Sequence, residues 1–145
     1  MKTSIKASIA IAAILGVTAG HVALASEAVE ARQAAMKAIG GASGTLGKMA
    51  RGKMDYDKRA AQSAAQTIAE KAAMIPALFK DDDFDMTTEA SPAIWNNFDD
   101  FTAKAMALQV AAENAASKTS LTALKGAMGD LGAACGSCHR AYREK

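Results

Sequence analysis

The feature that most constrains this chain is Cys135-Gly136-Ser137-Cys138-His139, set on the apolar stripe of a helical segment. Leu121, Leu124, Met128, Leu131, Cys135, Cys138 and Tyr142 recur at spacings of three and four, which places them on one helix face. C-x-x-C-H is the signature of covalent c-type haem attachment. Two thiols one turn apart add to the two vinyl groups, and the adjacent histidine supplies an axial nitrogen to the iron. Cys135 and Cys138 are the only cysteines in the 145-residue chain. Because they lie on the buried stripe itself, one haem c is expected inside the fold, near the end of this helix.

Other readings of the motif fit less well. A thioredoxin-like C-x-x-C opens a helix after a strand. This one closes a helical pattern in a chain with no strand pattern. Structural zinc wants four Cys or His ligands, and Cys135, Cys138 and His139 are three. A disulfide between Cys135 and Cys138 closes a very short loop and leaves His139 unexplained.

The N-terminus agrees with attachment in an oxidising compartment. Lys2 and Lys6 precede a small apolar stretch from Ala7 to Gly20, followed by Ala23-Leu24-Ala25. This is the pattern of a secretory signal peptide over residues 1–25, cut before Ser26. The apolar run is too short to span a bilayer well, so no membrane span is expected. The mature chain, residues 26–145, is expected to be one domain in the periplasm. Residues 1–25 hold two lysines and no acid, so the mature chain has 15 basic and 15 acidic residues. A charge argument for nucleic acid or anionic membrane surfaces therefore fails.

The remaining pattern predicts an all-α fold of four helices. The first spans about Glu27 to Met49, with Val29, Arg32, Met36, Ile39, Ser43, Leu46 and Ala50 on a heptad-like stripe. Gly40, Gly41, Gly44 and Gly47 weaken it, each by up to ~1 kcal/mol relative to Ala. They either break the helix or let a flat ring approach. The second helix starts at Asp57 as N-cap, with stripe Ala61, Ala64, Ile68, Ala72, Ile75 and Phe79. The third opens at Ser91-Pro92 and continues through Ile94, Phe98, Phe101, Ala105, Leu108, Ala112 and Ala115. Lys118-Thr119-Ser120 caps the fourth. Short links imply an up-down-up-down four-helix bundle with the c-type haem near one end. Alanine is abundant and aromatics are scarce, so haem is expected to supply core volume and the apoprotein to be loosely packed.

The chain resembles the class II cytochromes c, the four-helix family that includes cytochrome c′ and the low-spin c-556 type. The resemblance rests on Arg32-Gln33-Ala34-Ala35-Met36, Met54-Asp55-Tyr56-Asp57, Ser91-Pro92-Ala93-Ile94-Trp95 and the block from Gly132 to Arg143. Asp55 departs from the family, which often has proline there. The resemblance implies that the sixth iron position faces the residue matching Met36: empty in cytochrome c′, methionine-bound in the c-556 type. Bundle geometry selects Met36 independently. His139 is ~6–9 Å from the end of its helix and Met36 ~13 Å from the start of its own, in a topology that sets these ends side by side. Met74 is the runner-up. Met128 shares the helix of His139 but is ~16 Å away along it; Met49 and Met106 lie towards the far end, and Met54 and Met86 in connections. By the same resemblance Arg32 meets a haem propionate; the alternative is an arginine that snorkels outward. Trp95, Phe98 and Phe101 are expected to pack on haem or core. Lys125, Arg140 and Arg143 are expected to be solvated.

Three functions follow as expectations. The first is one-electron transfer in the periplasm, with His139 and Met36 as fixed axial ligands and periplasmic or membrane-bound redox proteins as partners. The second is a five-coordinate cytochrome c′ that binds nitric oxide or another diatomic gas. The third, a haem-free helical module, conflicts with the motif. No acid–base or nucleophile constellation is present, so a carrier rather than an enzyme is expected, with homodimerisation left open.

Overall fold

The computed structural model describes residues 18–84 and 87–144, with side chains from residue 27. Residues 1–17 of the expected signal segment, and Met86, lie outside the described residues. Five helices follow in order: α1 (Thr18–Ala50), α2 (Lys58–Leu78), α3 (Ala93–Asn96), α4 (Phe98–Ala116) and α5 (Leu121–Tyr142). The four long ones form the bundle. α1 packs on α2 and α5, α2 on α4, and α4 on α5; α3 is a single turn packed on α4 and α5. Among the described residues no helix is long and apolar enough to cross a membrane.

The glycines do not break α1, which runs unbroken past all four. Its helix is held by tertiary packing rather than propensity: Ile39, Leu46 and Met49 are buried in the core. It ends where Gly52 adopts φ +68°. The Gly52 amide donates to the Met49 carbonyl at 3.0 Å and the Lys53 amide to the Lys48 carbonyl at 2.8 Å. This is the Schellman pattern, and it satisfies carbonyls that the helix end leaves open.

Two expected caps are present. Asp57 accepts from the Ala60 amide at 2.9 Å through its side chain, and Ser120 accepts from the Ala123 amide at 3.2 Å. The third expected helix is corrected. It is two helices, α3 and α4, separated at Asn97, whose φ and ψ of −137° and 45° are not helical. The Asn97 amide side chain donates to the Ala93 carbonyl at 3.3 Å, a local competitor of the helical ladder. The break lets α3 bury Ile94 while Trp95 donates from its indole nitrogen to the Phe79 carbonyl at 2.9 Å. α4 then buries Phe101, Ala105, Leu108, Ala112 and Ala115 on its own axis.

The long connection between α2 and α3 is tied down at both ends. Its far end forms a single antiparallel bridge, Ala90 to Arg143. The Ser91 amide donates to the Tyr142 carbonyl at 3.0 Å and the Glu144 amide to the Glu89 carbonyl at 2.8 Å. The end of α5 is thereby clasped by the segment that precedes α3.

Gly52 and Gly41 separate two roles for glycine. Gly52→Ala forces an L side chain into a left-handed turn and should cost about 1 kcal/mol. A Cβ at exposed Gly41 meets nothing within 4 Å, so Gly41→Ala should stabilise by about 0.5–1 kcal/mol. Guanidinium unfolding of the holoprotein reads both signs.

Candidate functional site

A cavity of about 680 Å³ opens at one end of the bundle, bounded mainly by α1 and α5. α5 contributes Cys135, Cys138, His139 and Tyr142; α1 contributes Met36, Ile39, Gly40 and Ser43. Phe79 and Phe101 form apolar wall, and residues 87–90 of the clasped connection form the rim. The α-helical spacing seen in the sequence explains the grouping. Positions 135, 138, 139 and 142 lie within two turns of one face, as do 36, 39, 40 and 43.

The cavity suits a flat covalently held ring. Both cysteines are half-buried, free thiols on the same wall. A Cβ built on Gly40 meets nothing within 4 Å, so open space lies against the α1 backbone where a macrocycle needs it. The Ser43 hydroxyl oxygen, also in the wall, is buried without a hydrogen-bond partner. His139 lines the cavity at its mouth. Its imidazole is held below the ordinary value, first by desolvation and then by the Arg143 cation, with Glu89 opposing. That favours the neutral ring a metal requires. Burial pushes both thiols up, which keeps them uncharged.

Met36 is half-buried and lines the same cavity as Cys135, Cys138 and His139. The runner-up does not. Met74 is 44% exposed, with its sulfur 4.0 Å from the Lys71 ammonium and outside the lining of this cavity. It faces away because the stripe of α2 that turns inward is Ala61, Ala65, Ile68, Ala72 and Ile75. Met49 and Met128 pack in or against the core, and Met54 and Met106 are exposed.

Arg32 also lines the cavity, yet it is only 3% exposed. The outward-snorkelling alternative is therefore corrected. Its Nε donates to the Leu78 carbonyl at 2.8 Å, Nη1 to the Asp83 carbonyl at 2.7 Å and Nη2 to the Asp81 carbonyl at 2.6 Å. The Asp83 carboxylate is 3.9 Å from Nη2. The guanidinium carbon stands 4.9 Å from the Phe79 ring centroid and 5.6 Å from that of Trp95. Burial lowers its pKa, and Asp83, Asp81 and Asp82 oppose that shift in that order. Backbone carbonyls thus supply the partners that a buried arginine requires, without need of a propionate.

Phe101 lines the cavity as expected, whereas Trp95 and Phe98 pack on the core outside its lining. Arg143 is not simply solvated: its guanidinium pairs with the Glu89 carboxylate at the rim. Lys125 and Arg140 are exposed. Phe79 and Glu89 were missed as site residues. Phe79 reads as core from its stripe, and nothing local marks Glu89, which reaches the site only through the clasp on α5.

Tyr142 joins the cavity wall to the surface. Its ring meets Phe101 edge-on at 5.4 Å, and its hydroxyl donates to the Asp100 carboxylate, which also pairs with Lys104 at 3.2 Å. The hydrogen bond from Tyr142, then that from Lys104, holds Asp100 below the ordinary carboxylate range. The same bond to Asp100 is the leading reason that Tyr142 is pushed up to about 12. A depressed carboxyl pKa contributes stability above its unfolded value and loses it as pH falls through the folded one. A raised phenol pKa contributes below its unfolded value and loses it as pH rises through the folded one. Tyr142→Phe should flatten both the acid and the alkaline limbs of stability, read from unfolding midpoints across pH.

The chain matches the family model described as Cytochrome C′ over residues 27–143. A cytochrome c-556 of Agrobacterium tumefaciens (strain apple 185) is 43% identical over 120 residues, covering 80% of this chain and 94% of the relative. A cytochrome c-554 of Cereibacter sphaeroides is 42% identical over 123 residues, covering 81% of this chain and 80% of that one. Among solved structures, cytochrome c prime from Shewanella frigidimarina superposes with a TM-score of 0.75 at 29% identity, over 83% of this chain and 97% of the other. Together with the cavity, the paired cysteines and the adjacent histidine, these likenesses establish that the chain belongs to the cytochrome c′ family of four-helix c-type cytochromes, which bind one covalently attached haem c.

Proposed function

We propose that the protein is a periplasmic one-electron carrier whose haem iron is held between His139 and Met36. The observation that carries this reading is Met36, the one methionine among the described residues in the lining of the cavity that also holds Cys135, Cys138 and His139. Bound there, haem c supplies reversible one-electron chemistry at iron. Cys135 and Cys138 would hold the ring through thioether bonds. His139, kept neutral by its surroundings, presents a ring nitrogen. Met36 presents a thioether from α1, a ligand that raises the potential relative to harder donors. With both residues as ligands, the coordination would stay unchanged between oxidation states. Phe79, Phe101, Ile39 and Tyr142 exclude water from the apolar part of the cavity.

The c-556 and c-554 relatives support this reading by name and by identity above 40%. A second reading, binding of a diatomic gas at an open iron position, is favoured by the likeness to a solved cytochrome c prime. The bundle itself is common to both, so the ligand at position 36 is what separates them. Arg32 lines the cavity and has donor hydrogens beyond those it uses, so it can also meet a propionate. Residues 1–25 are proposed to be a signal peptide removed before Ser26. Intact mass of the exported protein checks this; an uncut cytoplasmic product contradicts it.

Absorption spectra test the ligand. The oxidised wild type should be low-spin with the weak far-red band of methionine-to-iron charge transfer, and the reduced form should resist carbon monoxide. Met36→Leu should shift the iron to high spin and admit the gas. A high-spin wild type insensitive to Met36→Leu moves the protein to the gas-binding reading. His139→Ala should prevent maturation or change the spectral class, and an unchanged spectrum excludes His139 as ligand.

A further inference from the structure

The segment that Arg32 pins does more than close the bundle end. It presents Phe84, 45% exposed, with its ring 5.2 Å from that of half-buried Trp95. Trp95 lies on the Arg32 guanidinium, which lies on Phe79, which meets Phe101 at 5.1 Å. Phe79, Phe101 and Arg32 all line the haem cavity. A continuous series of packed planar groups therefore leads from the cavity wall to one exposed aromatic side chain. Asp81 and Asp82 are exposed beside it in the chain, next to exposed Lys80, so these three exposed charges sum to minus one; Asp83 is half-buried against Arg32.

We propose that Phe84 and Trp95, flanked by Asp81 and Asp82, form the docking patch for a cationic redox partner, a protein whose own electron-exchange face is apolar at its centre and basic around it. The inference rests on the electron-carrier reading. Two observations determine the occupant. An exposed large aromatic stacked on a second one offers a small apolar contact that a partner can desolvate. The carboxylates beside it attract positive charge, raise encounter rates and repel acidic proteins. Arg32 preorganises the patch, because two of its nitrogens hold the Asp83 and Asp81 carbonyls of the same segment and a third holds the Leu78 carbonyl at the end of α2. Little ordering cost then remains for binding. The cavity rim differs: it carries exposed Lys37 and the Glu89–Arg143 ion pair, and so lacks the run of exposed carboxylates that borders Phe84.

One electron would pass from the reduced carrier to the oxidised centre of the partner. No bond forms or breaks in the patch, no side chain is oxidised and no proton moves. The packed groups leave no solvent gap between the cavity wall and Phe84.

Tris(phenanthroline)cobalt(III), an aromatic cationic one-electron oxidant, is a direct probe, with its cobalt reduced to the divalent state. Oxidation of the reduced holoprotein by it should slow by about three- to tenfold in the Asp81→Asn/Asp82→Asn double variant, and its rate should lose salt dependence. Phe84→Ala should slow it comparably with the salt dependence retained. Ferricyanide, an anion, should oxidise both variants no more slowly than wild type. An equal fall with both oxidants marks a general change in the haem and overturns the proposal.

A second readout needs no electron transfer. Trp95 is the only tryptophan, so its indole proton gives a single NMR signal. The redox-inert, paramagnetic tris(phenanthroline)chromium(III) should broaden that signal in wild type and less so in both variants. Broadening that spares Trp95, or that survives both substitutions, overturns the patch while a low-spin methionine-ligated spectrum leaves the carrier reading intact. A high-spin wild type removes the carrier reading, and the indole signal still decides whether cations dock here.

Discussion

The burial of one cation governs this end of the molecule. Arg32 cannot be dehydrated inside the bundle without partners. It finds them in the carbonyls of Leu78, Asp81 and Asp83. The Leu78 carbonyl belongs to the last turn of α2, so Arg32 supplies one of the donors that a helix C-terminus lacks. The same contacts draw the start of the α2–α3 connection across the bundle end. Phe79 is thereby set in the cavity wall and Trp95 against its carbonyl. Wall and outer surface are two sides of one fixed segment.

The cavity is a consequence of small side chains as much as of shape. Alanines occupy much of the inward stripes of α2 and α4, so these two helices pack closely. α1 and α5 have Gly40, Ser43, Cys135 and Cys138 where bulky core residues would otherwise meet. The apolar part of the wall, with Ile39, Phe79 and Phe101, faces this cavity. A covalently attached ring would cover it, so loss of the cofactor is expected to destabilise the bundle.

Family membership narrows the chemistry to haem c, and the remaining choice is local. One methionine among several is brought to the cavity by the phase of α1. A helix face is a matter of 100° per residue, so a neighbour one position away would point elsewhere. On the proposed reading, that sensitivity leaves the choice between carrier and gas binder to a single side chain on α1.

Much of the architecture was legible in the amino-acid sequence because it depends on near neighbours. The C-x-x-C-H motif, the caps at Asp57 and Ser120, and the periodic stripes are all local signals, and helical geometry converts them directly into faces. Arg32 and Met36 could be singled out for the same reason, being one turn apart on one stripe. Other features waited for the tertiary structure. The break at Asn97 is hidden in the sequence because Ile94, Phe98, Phe101 and Ala105 keep helical spacing across it. Met74 could be excluded only once the inward face of α2 was seen to lie elsewhere. The partners of Arg32 and the pairing of Glu89 with Arg143 join residues 46 to 54 positions apart, across a connection without periodicity. The sequence by itself determined the four long helical segments and which residues share a face. Tertiary structure decided which faces meet and what partners the buried charge takes, because long-range contacts depend on where an irregular segment is pinned.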